Sequence, residues 1–372
     1  MSSLDEFARE KLAALDAAHR RRILAETARE DGIWITRGGR RLISFSCNDY
    51  LNLTHDERVK QAAMEAVARY GTGAGASRLV TGNHPLFEAL ETRLARLKGT
   101  EAACIFGSGY LANAGIVPSL VGEGDLLLVD ALSHACLWAG ARLSQAHVEV
   151  FRHNDVAHME ELLTAHRKHH RHALIVTDGV FSMDGDLAPL VKFGALARKH
   201  DTWLMSDDAH VLAFKPEPHV DLRMGTLSKA LGSYGGYLCA SRSVIDLVKT
   251  RARTLVYSTG LPPASAAAAL AALDIIESEP DLLARPLANA QAFTRACNLP
   301  LVQSAIVPLV LGDELAALEA SEILEKEGFL VTAIRPPTVP PGTARLRFAF
   351  TAGHAVEDSE RLAKIVRERI LA

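Results

Sequence analysis

The sequence predicts an α/β fold: a large domain with a mostly parallel sheet covered by helices, a smaller α+β C-terminal domain and a helical N-terminal arm. Three observations predict it. From about residue 55, short β-rich runs, several apolar throughout, alternate with helical stretches, the pattern of a sheet buried on both faces. After the break at Glu279-Pro280 the composition changes. Ahead of both, residues 4–30 carry Leu, Phe, Ala and Ile at helical spacing with charges between them. The expected divisions are 1–54 for the arm and a short hairpin, 55–280 for the large domain and 281–372 for the small one.

The elements follow in order. The periodicity over 4–30 predicts an amphipathic helix, and Arg37 to Phe45 a hairpin turning at Gly38-Gly39. Strands are expected at Ala102–Phe106, Asp125–Val129, Val148–Phe151, Ala173–Val176, Trp203–Met205, Leu222–Met224 and Gly236–Cys239. The Ala-rich run Pro263 to Ile276 is a helix. Beyond Pro280 come a helix, a strand near Ala305–Leu311, another helix, two strands within Val331–Phe350 and a closing helix over Val356–Ile370. No internal repeat appears, which argues against a solenoid.

Bulk properties fit a globular enzyme and exclude several classes. The chain has 372 residues, 48% apolar and 23% charged, so disorder is excluded. Its net charge of −3 offers no whole-surface field for nucleic acid or anionic membrane, and any anionic ligand must be held locally. No apolar stretch is long enough to span a bilayer, and the charged N-terminus resembles no secretory signal. Five scattered cysteines without a C-x-x-C pair read as reduced thiols of a cytoplasmic protein. Gly71-Thr-Gly73-Ala-Gly75 misses the dinucleotide spacing and follows a helical pattern, and there is no Walker A motif. The run His166 to His172 mixes imidazoles with Arg and Lys and reads as a solvated helix end or loop, so no metal is expected.

Chemistry is expected where predicted strands end. Trp203-Leu-Met-Ser delivers Asp207, Asp208 and His210 to the end of a buried strand, and Lys229 follows within a Gly-rich turn. An amine that can form a Schiff base, facing an anion that can keep a ring nitrogen protonated, is what pyridoxal 5'-phosphate (PLP) requires. Gly107-Ser-Gly109-Tyr110 leads from a strand into a helix and leaves backbone N–H groups for a phosphate. His134 stands just beyond another apolar strand. Asp178, Ser182 and Asp184 follow a third, and Ser258-Thr259 precede a helix start.

These segments, with Phe45-Ser-Cys-Asn48-Asp49-Tyr50-Leu51, Ala76-Ser77-Arg78-Leu79-Val80-Thr-Gly82-Asn-His84-Pro85 and Gly225-Thr226-Leu-Ser-Lys229, resemble in order the α-oxoamine synthases over nearly the whole chain. Those are fold-type-I PLP enzymes that condense an amino acid with an acyl thioester and release carbon dioxide. Within the family, Ala333 to Pro340 and Gly342 to Arg347 are most similar to the member that joins L-alanine to a pimeloyl thioester, carried on coenzyme A or a carrier protein. A relative using glycine or another acyl group, such as a glycine acetyltransferase, and a PLP-binding protein without turnover are the alternatives.

The resemblance implies that Lys229 holds the cofactor aldehyde, Asp207 faces the pyridine nitrogen, His210 faces the phenolic oxygen and His134 stacks on the ring. It implies a phosphate site of Gly109, Tyr110, Ser182 and Thr226, joined by Ser258 or Thr259 from a second subunit, hence a homodimer. It also implies that Arg335 receives a substrate carboxylate, helped by Asn48 and by one of Arg20, Arg21 and Arg22. Two departures stand out. The stretch between His210 and the next strand is shorter than the family's and lacks its glycines, so a wall of the site is expected to differ. Asn52 stands where the family has glycine, a mild change because Asn tolerates positive φ.

Overall fold

In the computed structural model, which describes residues 2–372, helix α1 (Ser3–Ala17) opens with a capping box, Ser2 Oγ accepting from Asp5 N–H and the Asp5 carboxylate from Ser2 N–H. It ends far short of residue 30. An amphipathic helix gains its stability by burying its apolar stripe, and α1 buries none of its residues. The chain leaves it through His19 at φ 51°. Residues that the periodicity assigned to helix instead form β1 (Ala28–Asp31), paired antiparallel with β2 (Trp34–Arg37). The expected hairpin is present: β2 turns into β3 (Arg40–Ser44) through Gly38 and Gly39, whose φ values of 55° and 74° are those of a type I′ turn.

The next elements are α2 (Glu57–Tyr70), α3 (Pro85–Lys98), β4 (Ala102–Phe106), α4 (Gly109–Leu120), β5 (Leu126–Asp130), α5 (Ala135–Ser144), β6 (His147–Phe151), α6 (Val156–His166), β7 (Ala173–Asp178), α7 (Leu190–Lys199), β8 (Trp203–Asp207), β9 (Leu222–Thr226), β10 (Gly236–Ala240), α8 (Arg242–Arg251), α9 (Arg253–Val256) and α10 (Pro263–Ser278). All seven strands expected here form, each within two residues of its expected bounds. They build one sheet in the order β4-β10-β9-β8-β7-β5-β6, in which only β10 runs antiparallel to its neighbours.

Period-2 alternation explains why β5 is apolar throughout. Leu127 and Val129 face a core containing Ile116 and Leu137 from α4 and α5, whereas Leu126 and Leu128 face Met159, Leu163 and Phe193 from α6 and α7. Each fully buried side chain of this kind contributes about 1.5–3 kcal/mol. The strands are therefore fixed on both sides, and their carboxyl ends are rigid platforms.

The remaining elements are α11 (Arg285–Ala296), β11 (Ile306–Gly312), α12 (Glu314–Lys326), β12 (Phe329–Leu330), β13 (Thr332–Ile334), β14 (Ala344–Ala349) and α13 (Val356–Arg369). The chain divides into two compact units, one of residues 51–182 and 186–284, the other of 1–50, 183–185 and 285–372. Residues 1–50 share a unit with the C-terminal segment because β12 adds to β3 in parallel, with Phe329 opposite Ile43. That second unit also carries the antiparallel sheet β11-β14-β13, over a core of Phe45, Phe293, Phe329, Phe348 and Phe350.

Candidate active site

Ligands in open α/β sheets lie beyond the carboxyl ends of the strands, and here five strand ends supply one cavity. The cavity, of about 240 Å³, is lined by Ser108, Gly109, Tyr110, His134, Cys136, Asp178, Asp207, Ala209, His210, Met224, Thr226, Ser228 and Lys229. Sequence reasoning had singled out seven of these as site residues: Gly109, Tyr110, His134, Asp207, His210, Thr226 and Lys229. Ser182, Ser258 and Thr259 do not line it; the last two instead line a small recess with Arg78 and Gly107.

Asp207 ends β8, with 4% of its surface exposed. Its Oδ2 accepts from Asn113 Nδ2 at 2.7 Å and its Oδ1 from Ala209 N–H at 2.9 Å, so the carboxylate cannot swing. Asp178 ends β7 and is its register partner, which sets two acids side by side. Burial and then the charge of Asp207 push Asp178 well above the usual carboxylate range, and the His134 N–H, 3.0 Å from its Oδ2, only partly opposes this. The pair is thus asymmetric, with the Asp178 carboxyl holding its proton far more readily than an ordinary carboxyl does.

His134 caps α5, its Nδ1 accepting from Cys136 N–H at 3.3 Å and lying 2.7 Å from Cys136 Sγ. Desolvation lowers the imidazole from its ordinary value, Asp207 works against that and Lys229 adds to it, which leaves a neutral ring. Burial, followed by Asp207, pushes the Cys136 thiol up to about 12. It therefore stays protonated and serves as a donor to Nδ1.

Lys229 Nζ lies 2.7 Å from His210 Nε2. Either nitrogen can donate across this contact, which ties the two side chains together whichever of them carries the hydrogen. The turn carrying Lys229 leaves β9 after Thr226; at Gly225, just before, a Cβ would fall 2.4 Å from the buried Tyr237 ring, so only glycine lets β9 and β10 close up at this point. Thr226 Oγ1 donates to Gly235 O at 2.8 Å and lies 2.7 Å from Ser228 Oγ. With the Thr226 proton committed inward, the exposed Ser228 is the hydroxyl able to turn toward a ligand. The first N–H groups of α4 have no intrahelical acceptor, and Gly236 lets β10 pass beneath them, since a Cβ there would meet Ser108 O at 2.5 Å.

Behind the cavity, Asp208 is buried between two cations, 3.1 Å from Lys98 Nζ and 2.5 Å from Arg223 Nη2. Burial alone would raise its carboxyl, but Lys98 and Arg223 outweigh that and hold it low. Lys98 is lowered by burial, Asp208 pulling it up and Arg223 pushing it down again. The shortened stretch after His210 packs on this triad, with Phe214 beneath Lys98 Nζ at 5.2 Å and Lys215 O accepting from Arg223 Nη1 at 2.5 Å. A packed stretch anchored by cations thus follows His210. Sequence reasoning missed this arrangement, and also Asn113 and Ser228. The spacing to Asp207 and Lys229 was visible, but the partner's identity depends on which helix lands beside β8.

The residues expected at the substrate carboxylate belong to the other compact unit. Arg335 donates to His19 O, Arg21 pairs with Asp16 at 2.8 Å, and Asn48 Oδ1 accepts from Arg347 Nη1 at 3.2 Å. Arg20 pairs with Glu314 at 3.3 Å and Arg22 donates to Thr338 Oγ1 at 2.8 Å. Asn52 takes φ 62°, the left-handed conformation that the expected tolerance of Asn for positive φ allows.

The donor set fits PLP: an amine and a fixed carboxylate on one cavity, a neutral imidazole for an aromatic face and helix N–H groups for a phosphate. Fold and site together define a PLP-dependent enzyme of fold type I. Residues 40–366 match the family model described as aminotransferase class I and II. An 8-amino-7-oxononanoate synthase from Beijerinckia indica subsp. indica is 63% identical over 98% of each chain. Among solved structures, a serine palmitoyltransferase from S. paucimobilis with bound PLP and myriocin superposes with a TM-score of 0.90 at 27% identity, covering 99% of this chain and 98% of that one. The 8-amino-7-oxononanoate synthase of Francisella tularensis gives 0.75 at 25% identity, covering 89% and 98%. The chain belongs to the aminotransferase class I and II family, among the 8-amino-7-oxononanoate synthases.

Proposed function

We propose that the protein uses PLP to condense L-alanine with a pimeloyl thioester, releasing carbon dioxide, free thiol and 8-amino-7-oxononanoate, a step of biotin biosynthesis. One observation carries the reading: Lys229, His210 and Asp207 line a single cavity at the strand ends, with Lys229 Nζ 2.7 Å from His210, in a chain 63% identical to a synthase of that name. The bound cofactor supplies an electron sink for the carbanion formed first at the alanine Cα and again when the carboxylate leaves.

The chain's residues do the rest. Lys229 supplies the amine that holds the cofactor aldehyde. Once the substrate amine has displaced it, Lys229 Nζ takes the Cα proton and later returns one, with His210 Nε2 keeping it in place. Asp207, locked by Asn113 and Ala209, keeps a facing ring nitrogen protonated. His134, neutral and held as an N-cap, offers its flat face to the ring without adding a second cation. The N–H groups of Gly109 and Tyr110 and the Ser228 hydroxyl receive the phosphate, with Thr226 orienting Ser228, and Arg335, with Asn48 and one of Arg20 to Arg22, receives a substrate carboxylate.

The reading includes a homodimer. Ser258 and Thr259 lie outside the cavity of their own chain, so their phosphate role calls for a second copy. The exposed Leu79, Val80, Tyr234 and Tyr257 offer apolar area for such a contact. It also includes a cytoplasmic location, in keeping with five cysteines that form no disulfide; no helix among the described residues is long and apolar enough to cross a membrane. Thiol release with L-alanine or glycine across a panel of acyl thioesters tests the reaction. Alanine with pimeloyl thioester should give the fastest release and the expected product mass. Faster release with glycine and acetyl thioester, or none with any pair, would refute it.

A further inference from the structure

The histidine-rich segment after α6 meets the edge strand β6 at a cluster unconnected with the PLP cavity. His147 and Glu149 are two residues apart on β6, so they point from the same face of the strand. His166, the last residue of α6, completes the group. Glu149 Oε1 lies 2.8 Å from His147 Nε2 and 3.4 Å from His166 Nε2, and the three donor atoms all fall within 4.8 Å of one another. Zinc bound tetrahedrally at about 2.0–2.1 Å needs its donors about 3.3 Å apart. Two of the distances already bracket that value, and the remaining pair closes by rotation of half-exposed rings.

We propose that His147, Glu149 and His166 form a surface site for zinc or a similar divalent first-row cation. Two neutral imidazoles and one carboxylate are a donor set of the kind zinc takes, with the fourth position left to water. His170 backs the His147 ring and leaves the His166 ring free to turn. His170 stacks on His147 with centroids 5.1 Å apart, and its Nδ1–H donates to His166 O at 2.9 Å, tying the turn after α6 to the cluster. The sequence runs Arg, Lys and His together here, which is why the segment reads as a solvated helix end; His147 and Glu149, seventeen or more residues earlier, are what the fold adds. A bound ion would pin the sheet's edge strand to the end of its covering helix.

The test uses untagged enzyme loaded with PLP, so that neither a histidine tag nor His134 and Cys136 compete. Titration with zinc chloride against a chromophoric chelator should show one tight site per chain, weakened at least tenfold in His147→Ala and in His166→Gln. Zinc should raise the thermal midpoint of the wild type and not of the double variant His147→Ala/His166→Gln. The absorption of the bound cofactor should match wild type in every variant, which shows that they fold. Absence of binding, or binding of unchanged strength in the double variant, would overturn the proposal.

Discussion

Replacing His153 by leucine should remove a polar clamp that joins Asp130 to Asp186. His153 lies between two acids, its Nδ1 3.0 Å from Asp130 Oδ1 and its Nε2 2.8 Å from Asp186 Oδ2. Asp130 is fully buried and starts the turn that leads to His134. Desolvation opposes the charge on the ring, but the bonds to Asp130 and Asp186 prevail and raise it to about 10. The rise from an ordinary value near 6.5 corresponds to about 5 kcal/mol at most. Two hydrogen bonds to charged groups at about 1.5–3 kcal/mol each give a similar sum. Because Asp186 is partly exposed, the lower part of that range is expected, about 3–4 kcal/mol near pH 7. The native ring binds its proton more tightly than the unfolded one, so this stabilisation is complete below about pH 6.5 and disappears as pH rises through about 10. Equilibrium denaturation of the wild type and His153→Leu, both without cofactor, measures the difference from pH 6.5 to 10.5. A difference under about 1 kcal/mol at pH 7, or one that stays constant to pH 10.5, would refute the clamp.

Lys229→Ala should abolish thiol release and leave no lysine that borohydride can join to the cofactor; a labelled peptide containing another lysine would contradict its role. Asn113→Leu removes the side-chain donor to Asp207 and should weaken PLP binding by about tenfold, the value of roughly one charge-assisted bond, read by titrating cofactor into the variant; unchanged affinity would mean that Ala209 N–H alone suffices. Asp208→Asn leaves two buried cations without their anion and should cost about 3–5 kcal/mol, whereas Lys98→Met leaves a neutral pair with Arg223 and should cost under about 2 kcal/mol; denaturation midpoints rank them, and equal losses would refute the account of the triad. Arg335→Ala should raise KM and lower kcat for the condensation, and unchanged steady-state kinetics would remove its carboxylate role.

The large sheet was legible because all its strands but the edge strand β6 are buried on both faces. A run such as Leu126-Leu-Leu-Val129 has no polar position to confuse with a helix face, and the expected and observed bounds nearly coincide. Lys229, Asp207 and His210 were legible for a related reason: each follows directly from such a strand. The N-terminal stretch misled because its helical periodicity has no partner surface in α1, and a pattern without burial does not fix where a helix stops. Asn113 and the triad around Asp208 were not legible, because each acts through a neighbour distant in sequence, and Ser228 was not because its role follows from where Thr226 sends its proton. Asn113 and Asp207 are 94 residues apart, and Lys98 and Asp208 are 110. The histidines at 166–172 read as solvent-facing for the same reason, the strand residues opposite them being invisible in the local sequence.

The side-by-side acids at the ends of β7 and β8 make the pocket a discriminator by charge as well as by shape. Packing forces them together, so the charge on one acid holds the proton on the other, and a guest that brings a protonated ring nitrogen to Asp207 meets that charge directly. A flat guest of the same outline with a carbon in place of that nitrogen would forfeit the contact, so vitamin analogues should be sorted by basicity at one ring atom before any reaction begins.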